Sequence, residues 1–305
     1  MKIRNYIIQS ILLLFSCAQV FAQAETSQIS SRPGAFSRLG FGARGISLGN
    51  AMAATNTGNL VSYYNPALAS FQEDIFIGTG YSFLSLDRSM NFLNVTKKFE
   101  FGKKPGSNSK PRSVAGLSFG IINSGVSEIE ERDNQGTKSG SLSTSENLIY
   151  LGLSNKFSEK FSLGVSFKFY YYSLYEDIST TGFGMDLGAI YSFSDNLKFA
   201  IVLRDVNSKY RWDTTELYGQ SGNTYEEKFP LSKVFAASYF YEEYKLSGSV
   251  EWESSNAGTS YLRMGLEAEL NEFFILRGGF DRLDISNSDT PIRPSAGFAF
   301  NYSLG

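Results

Sequence analysis

The sequence predicts an all-β protein, an antiparallel up-and-down transmembrane β-barrel of about twelve strands with the N-terminal part of the chain set inside it as a plug. Three observations predict it. Most of the chain alternates apolar and polar residues with period two, the connections alternate short and long, and an export signal stands at the start.

The signal is read over residues 1–24. Lys2 and Arg4 give the positive start, a short apolar run follows from Ile7 to Phe15, and small residues at Ala22 and Ala24 suit cleavage. The run is too short to cross a bilayer as a helix. A lipoprotein signal ending on Cys17 is the rival reading, and the bulky Phe15 fits it poorly. Cys17 is the single cysteine, so the mature chain is expected to fold without disulfides. There is no histidine, which removes the commonest general base and metal ligand. The 28 basic and 30 acidic residues make a mildly acidic chain, which argues against a nucleic-acid partner, since that would need a clustered basic face. No cofactor is implied. Phe (26), Tyr (18) and Gly (29) are abundant and Pro (7) is scarce, as in membrane barrels.

Alternation begins near Ile75. Phe161, Leu163, Val165, Phe167, Phe169 and Tyr171 oppose Ser162, Gly164, Ser166, Lys168, Tyr170 and Tyr172. Phe183, Met185, Leu187, Ala189, Tyr191 and Phe193 oppose Gly184, Asp186, Gly188, Ile190 and Ser192. Successive side chains of a strand point to opposite faces, so each run has one apolar and one polar or small face. Such segments start near Ile75, Met90, Val114, Asn147, Phe161, Phe183, Leu197, Val234, Lys245, Tyr261, Phe274 and Ser295. Connections at 155–160, 194–196, 242–244 and 271–272 are short; those at 124–145, 174–182, 205–229, 254–260 and 283–294 are long and polar. Membrane barrels keep periplasmic turns short and let outside loops grow, whereas a Greek-key sandwich has no reason to sort loops by parity. The stretch 102–112, with Lys103-Lys104-Pro105-Gly106, breaks the rule. So many long strands enclose a lumen too wide for wall side chains to fill, which favours apolar outside and polar inside.

Residues 25–73 do not alternate. Gly40-Phe41-Gly42-Ala43-Arg44-Gly45 matches the dinucleotide fingerprint literally, yet no strand precedes it and no βαβ unit follows. In Tyr63-Tyr64-Asn65-Pro66-Ala67-Leu68-Ala69, Asn65 is placed to cap a helical turn and Pro66 to start it. The stretch reads either as a short surface helix or as a small folded insert within or beneath the barrel mouth, where its glycines would allow close backbone approach to the wall.

Gly42-Ala43-Arg44-Gly45-Ile46-Ser47-Leu48-Gly49-Asn50-Ala51 followed by Tyr64-Asn65-Pro66-Ala67-Leu68-Ala69 resembles the N-terminal region of the PorV/PorQ family of outer-membrane proteins, relatives of the FadL barrels. The stretches 182–191 and 231–240 resemble further parts of that family. The resemblance implies a FadL-like barrel of fourteen strands over residues 74–305, with a plug motif of Gly42, Arg44, Gly45, Gly49, Asn50, Asn65, Pro66 and Ala67. About twelve segments and an end at Leu304-Gly305 without a closing aromatic residue suggest a chain lacking a final hairpin. By the same resemblance the expected role is support of type IX protein secretion or surface attachment of cargo. Expected partners are outer-membrane lipid, secreted cargo proteins and other secretion-system components. The alternative is a FadL-like passive channel for hydrophobic small molecules, with an apolar pocket at Phe36, Phe41 and Leu48.

The parity places Lys168, Asp186, Arg204, Glu251, Arg263, Glu267, Arg277 and Asp281 on the lumen face, as a charge-balanced lining or a docking wall for the plug. Residues 128–133 read as a solvated acidic loop. Tyr170-Tyr171-Tyr172, Tyr210-Arg211-Trp212 and Tyr239-Phe240-Tyr241 read as aromatic girdles. Glu226-Glu227 and Glu242-Glu243 fall in expected loops or turns and do not form a separated acid–base pair. Without histidine no Ser-His-Asp site can be assembled, so an enzyme is not expected.

Overall fold

A computed structural model describes residues 28–102, 110–175, 178–215, 219–284 and 291–302. The export signal, Cys17, most of the 102–112 stretch and the terminal Leu304-Gly305 lie outside the described residues.

One antiparallel sheet forms the wall. Its strands are β1 (Phe76–Phe83), β2 (Arg88–Phe101), β3 (Ser113–Arg132), β4 (Lys138–Ser158), β5 (Phe161–Tyr175), β6 (Ile178–Ser192) and β7 (Leu197–Asp213). They continue through β8 (Thr224–Lys228), β9 (Ser232–Tyr241), β10 (Leu246–Ser255), β11 (Ser260–Glu269), β12 (Phe274–Asp284) and β13 (Arg293–Phe300). Neighbours in sequence are neighbours in the sheet, except for β8. The lower half of β7 pairs with β9, Leu197↔Tyr239 to Arg204↔Ser232, and its upper half with β8, Lys209↔Lys228 to Asp213↔Thr224. Among the described residues twelve strands therefore make the wall, and β8 extends one hairpin above it.

Period-two patterning produces this sheet because each wall strand meets lipid on one face. In β5, Leu163, Phe167, Phe169 and Tyr171 are exposed outward, while Ser162, Ser166, Lys168 and Tyr170 are buried inward. The outward apolar side chains face hydrocarbon, and the backbone groups between them are satisfied strand to strand.

Three expected loops are largely strand. β3 and β4 pair from Val126↔Thr144 to Arg132↔Lys138 across a bulge, so the acidic residues 128–132 lie on a projecting hairpin. β5 and β6 extend into 174–182, and β7 and β8 fill much of 205–229, with Glu226 and Glu227 on β8. Beyond the membrane both strand faces are wet, so alternation stops while the hydrogen-bond ladder continues. Hydropathy period reports burial rather than pairing. By the loop-length rule the end bearing these hairpins is extracellular.

The N-terminal segment fills the lumen. It contains 3-10 turns at Gln28–Ser31, Ala35–Arg38 and Pro66–Phe71, and one short helix, α1 (Gly42–Ser47). α1 packs against β12, β13 and β1. Two hydrophobic clusters join plug to wall. The outer one gathers Phe36, Phe41, Tyr63 and Tyr64 with Met90, Ile122, Leu148, Tyr150, Tyr170 and Tyr210. The inner one gathers Ala53, Leu60, Ala67 and Leu68 with Ile190, Ala200, Val202 and Val234.

Candidate functional site

The plug–wall interface is built first from missing side chains. Gly116, Ser154, Gly164 and Gly188 are register partners in sequence across β3, β4, β5 and β6, so they form one lateral row on the lumen face. The 66–71 turn rests on that row. A Cβ at Gly164 would lie 2.4 Å from the Ala67 nitrogen, and one at Gly116 would lie 2.2 Å from the Ala69 carbonyl carbon. At Gly188 it would lie 2.1 Å from the Asn65 Oδ1. Only glycine lets the two backbones approach so closely. Gly49 adds a conformational demand, since its φ is +60° and a Cβ there would sit 2.4 Å from the Phe280 carbonyl oxygen.

Asn65 organises the turn. Its side chain accepts the Ala67 N–H at 3.0 Å, the cap that the Asn-Pro pair predicts, and Pro66 occupies the first position. Its Nδ2 donates to the Ala53 carbonyl at 2.8 Å and to the Ala189 carbonyl of β6 at 3.3 Å. Ser162 donates to the Ala67 carbonyl at 3.1 Å, and Ser238 to the Ala54 carbonyl at 2.7 Å. The Ala53 N–H donates to the buried carboxylate of Glu251.

Charged contacts complete the attachment. Arg44 makes a two-pronged pair with Glu267 (2.7 and 2.9 Å), and also donates to the carbonyls of Thr57 and Asn59 at 2.7 and 3.0 Å. Arg277 approaches the same Glu267 at 2.6 Å. Planar guanidinium matched to carboxylate is the strong form of such a pair. Arg204 donates to the Tyr64 carbonyl at 3.1 Å and lies 3.4 Å from Glu253. Arg263 meets Glu253 at 2.6 Å and Asp281 at 2.7 Å, with Glu251 at 3.9 Å. Lys168 lies 2.7 Å from Asp186 and 3.1 Å from Asp205, and Asp205 accepts the Tyr170 hydroxyl at 2.7 Å.

All eight residues that the parity assigns to the lumen thus lie on the inner face, divided among three charge clusters. Reading the sequence missed Asp205, Glu253 and Arg282 as members. Asp205 and Arg282 follow irregularities in β7 and β12 and have φ of 58° and 56°, so simple alternation misplaces them.

The aromatic groups divide differently from expectation. Tyr171, Tyr239 and Tyr241 face outward, while Tyr170, Tyr210 and Trp212 are buried in the lumen and Tyr172 packs against them. Tyr170 stacks tilted on Phe229 at 4.7 Å, and Phe229 meets Tyr210 at 4.8 Å. They form a hydrophobic lid on the plug rather than a girdle; in β5, Tyr170 and Tyr172 share the inward parity of Ser166 and Lys168. Phe36, Phe41 and Leu48, the residues assigned to an apolar pocket, are packed in the core. Within the plug, Tyr64 accepts the Phe41 N–H at 2.9 Å and donates to Asn50 at 2.7 Å, and Tyr63 donates to the Ser37 carbonyl at 2.6 Å. Burial raises both phenols above their ordinary range and keeps them as neutral donors. Gly45 lies against the Tyr64 ring, which leaves no space for a side chain there. Gly40-Phe41-Gly42-Ala43-Arg44-Gly45 enters α1 from an extended Phe41 inside the barrel, in no strand–helix unit of the nucleotide-binding kind.

A wall of lipid-facing strands around a polar lumen that holds its own N-terminal segment defines a plugged outer-membrane β-barrel. Solved structures of that class are similar to it. The toluene transporter TodX of Pseudomonas putida matches with a TM-score of 0.53 and 11% identity, over 86% of this chain and 89% of TodX. The TodX monoaromatic hydrocarbon channel deltaS2 mutant gives 0.51 and 12%, over 87% and 90%. No protein-family model and no curated protein matches the sequence. At such identities the likeness establishes fold. The chain is an outer-membrane β-barrel with a fold similar to that of TodX.

Proposed function

We propose that this barrel supports delivery or attachment of secreted proteins at the cell surface, as the PorV/PorQ resemblance implies, with cargo proteins and other type IX secretion components as partners. The observation that carries the reading is the β3–β4 hairpin. Its strands of 20 and 21 residues are about twice the roughly 9–11 residues that cross a bilayer, so it rises well clear of the membrane as a polar platform. A plug pinned by Arg44, Asn65 and the Tyr64 carbonyl suits a fixed scaffold better than an open pore. The test is to replace residues 127–143 by a short glycine-containing turn between the paired Val126 and Thr144, leaving the wall intact. Cargo is expected to accumulate unprocessed in the periplasm; undiminished surface delivery would refute the reading.

A second reading, passive passage of hydrophobic compounds, is favoured by the likeness to TodX. Unchanged uptake of monoaromatic hydrocarbons in a strain lacking the gene would count against it.

A further inference from the structure

At the extracellular end, above the plug, lies a second and partly enclosed cavity of about 370 Å³. Four arginines border it: Arg38 from the plug, Arg88 at the start of β2, Arg282 on β12 and Arg293 at the start of β13. One carboxylate, Glu146 of β4, faces them. Arg38 donates to the carbonyls of Pro33 (2.9 Å), Ile29 (3.1 Å) and Arg32 (3.1 Å), and Arg282 donates to the Arg38 carbonyl at 2.7 Å. Those bonds fix the floor, but a carbonyl satisfies a guanidinium without cancelling its charge. Arg282 also lies 3.6 Å from Asp281, which is already engaged at 2.7 Å by Arg263. Arg88 donates to the Ser85 carbonyl at 3.1 Å, and both Arg88 and Arg293 are exposed. Among the described residues neither of them makes an ion pair with an acid.

The cavity is therefore lined by more positive charge than its own walls neutralise. The lining is also partly apolar, with Ile29, Phe36, Leu39 and Leu84 beside the arginines. We propose that this vestibule binds a doubly charged phosphate monoester carried on a short apolar body. Arginine forks match phosphate oxygens in pairs, a divalent anion answers several guanidiniums at once, and the volume suits a small ligand. An inorganic anion would leave the apolar part of the lining unused. The proposal is independent of the secretion reading.

The site is tested on the full mature barrel in neutral detergent by titration calorimetry with hexyl phosphate, using inorganic phosphate and hexanol as controls. Arg88→Gln and Arg293→Gln, whose side chains do not hold the plug, are introduced singly and together, and heat-modifiable gel mobility verifies that each variant is folded. Binding of hexyl phosphate is expected, weakened about tenfold by each substitution and about a hundredfold by both. Inorganic phosphate and hexanol are each expected to bind at least tenfold more weakly. Absence of hexyl phosphate binding, equal affinity for either control, or wild-type affinity in the folded double variant would overturn the proposal. Repeating the titration in phosphatidylcholine nanodiscs with and without phosphatidic acid identifies the source. Competition by phosphatidic acid supports the site as a lipid headgroup site, and unimpaired binding supports it as one for a soluble ester.

Discussion

Replacing Lys168 by Met is the most direct probe of the lumen. The ammonium group stands between Asp186 and Asp205, and all three side chains are at most 5% exposed. Asp186 is held further by the Asp205 N–H at 2.8 Å, and Asp205 by the Tyr170 hydroxyl. Removing the cation leaves two carboxylates buried together without a counter-charge. Breaking a buried pair in this way costs about 3–5 kcal/mol, since the desolvation already incurred is no longer offset. That corresponds to roughly a hundredfold to several-thousandfold in the folding equilibrium. Lys168→Met combined with Asp186→Asn and Asp205→Asn removes the charges altogether and is expected to recover most of the loss, to within about 2 kcal/mol of the starting protein. The assay is urea unfolding of the purified barrel in lipid vesicles, read as the fraction with folded gel mobility. A single Lys168→Met variant within about 1 kcal/mol of the parent would show that these carboxylates are hydrated, and the dry, charge-matched lumen would be the wrong picture.

Four further outcomes are expected. Gly164→Val forces a branched side chain into backbone 2.4 Å away, and the overpacking of about 1–3 kcal/mol should loosen the 66–71 turn, seen as new tryptic cleavage within the plug. Asn65→Ala removes a cap and two carbonyl contacts and should lower stability by about 1–3 kcal/mol in the same urea assay, whereas a change below about 0.5 kcal/mol would contradict the assigned role. Arg44→Lys cannot reproduce the two-pronged contact with Glu267 while holding the carbonyls of Thr57 and Asn59, so amide exchange over residues 57–60 should quicken by about tenfold. Tyr170→Phe strips a charge-assisted donor from Asp205 and should cost about 1.5–3 kcal/mol, measured as a lowered thermal midpoint.

What could be read from the chain follows from where the environment changes within one residue. Phe167, Phe169 and Tyr171 meet lipid while Ser166, Lys168 and Tyr170 face the filled lumen, so the β5 pattern is unmistakable. The same parity that places Lys168 and Asp186 inside also places Tyr170 and Tyr172 there. Reading these tyrosines as a girdle gave residue type priority over position. The projecting parts of β3 and β4 were illegible for the opposite reason, since Glu128, Glu130, Ser141 and Thr144 alternate between two watery faces. Asp205 was hidden by backbone: it follows Arg204 onto the inner face only because its left-handed φ interrupts the pleat. The plug was recognisable from Asn65-Pro66 and the glycine density, but its seat was not. The row of Gly116, Ser154, Gly164 and Gly188 exists only once four strands are aligned, and no single strand contains it.

That row makes the plug a gauge of assembly. Sliding β5 by two residues keeps every lipid-facing side chain on the correct face, so the membrane itself cannot detect the error. The slip would, however, bring Ser162 or Ser166 to the place of Gly164, where the backbone of Pro66 and Ala67 leaves no room for a Cβ. A misaligned wall would thus refuse its own N-terminal segment, and only a correctly zipped one would let it seat.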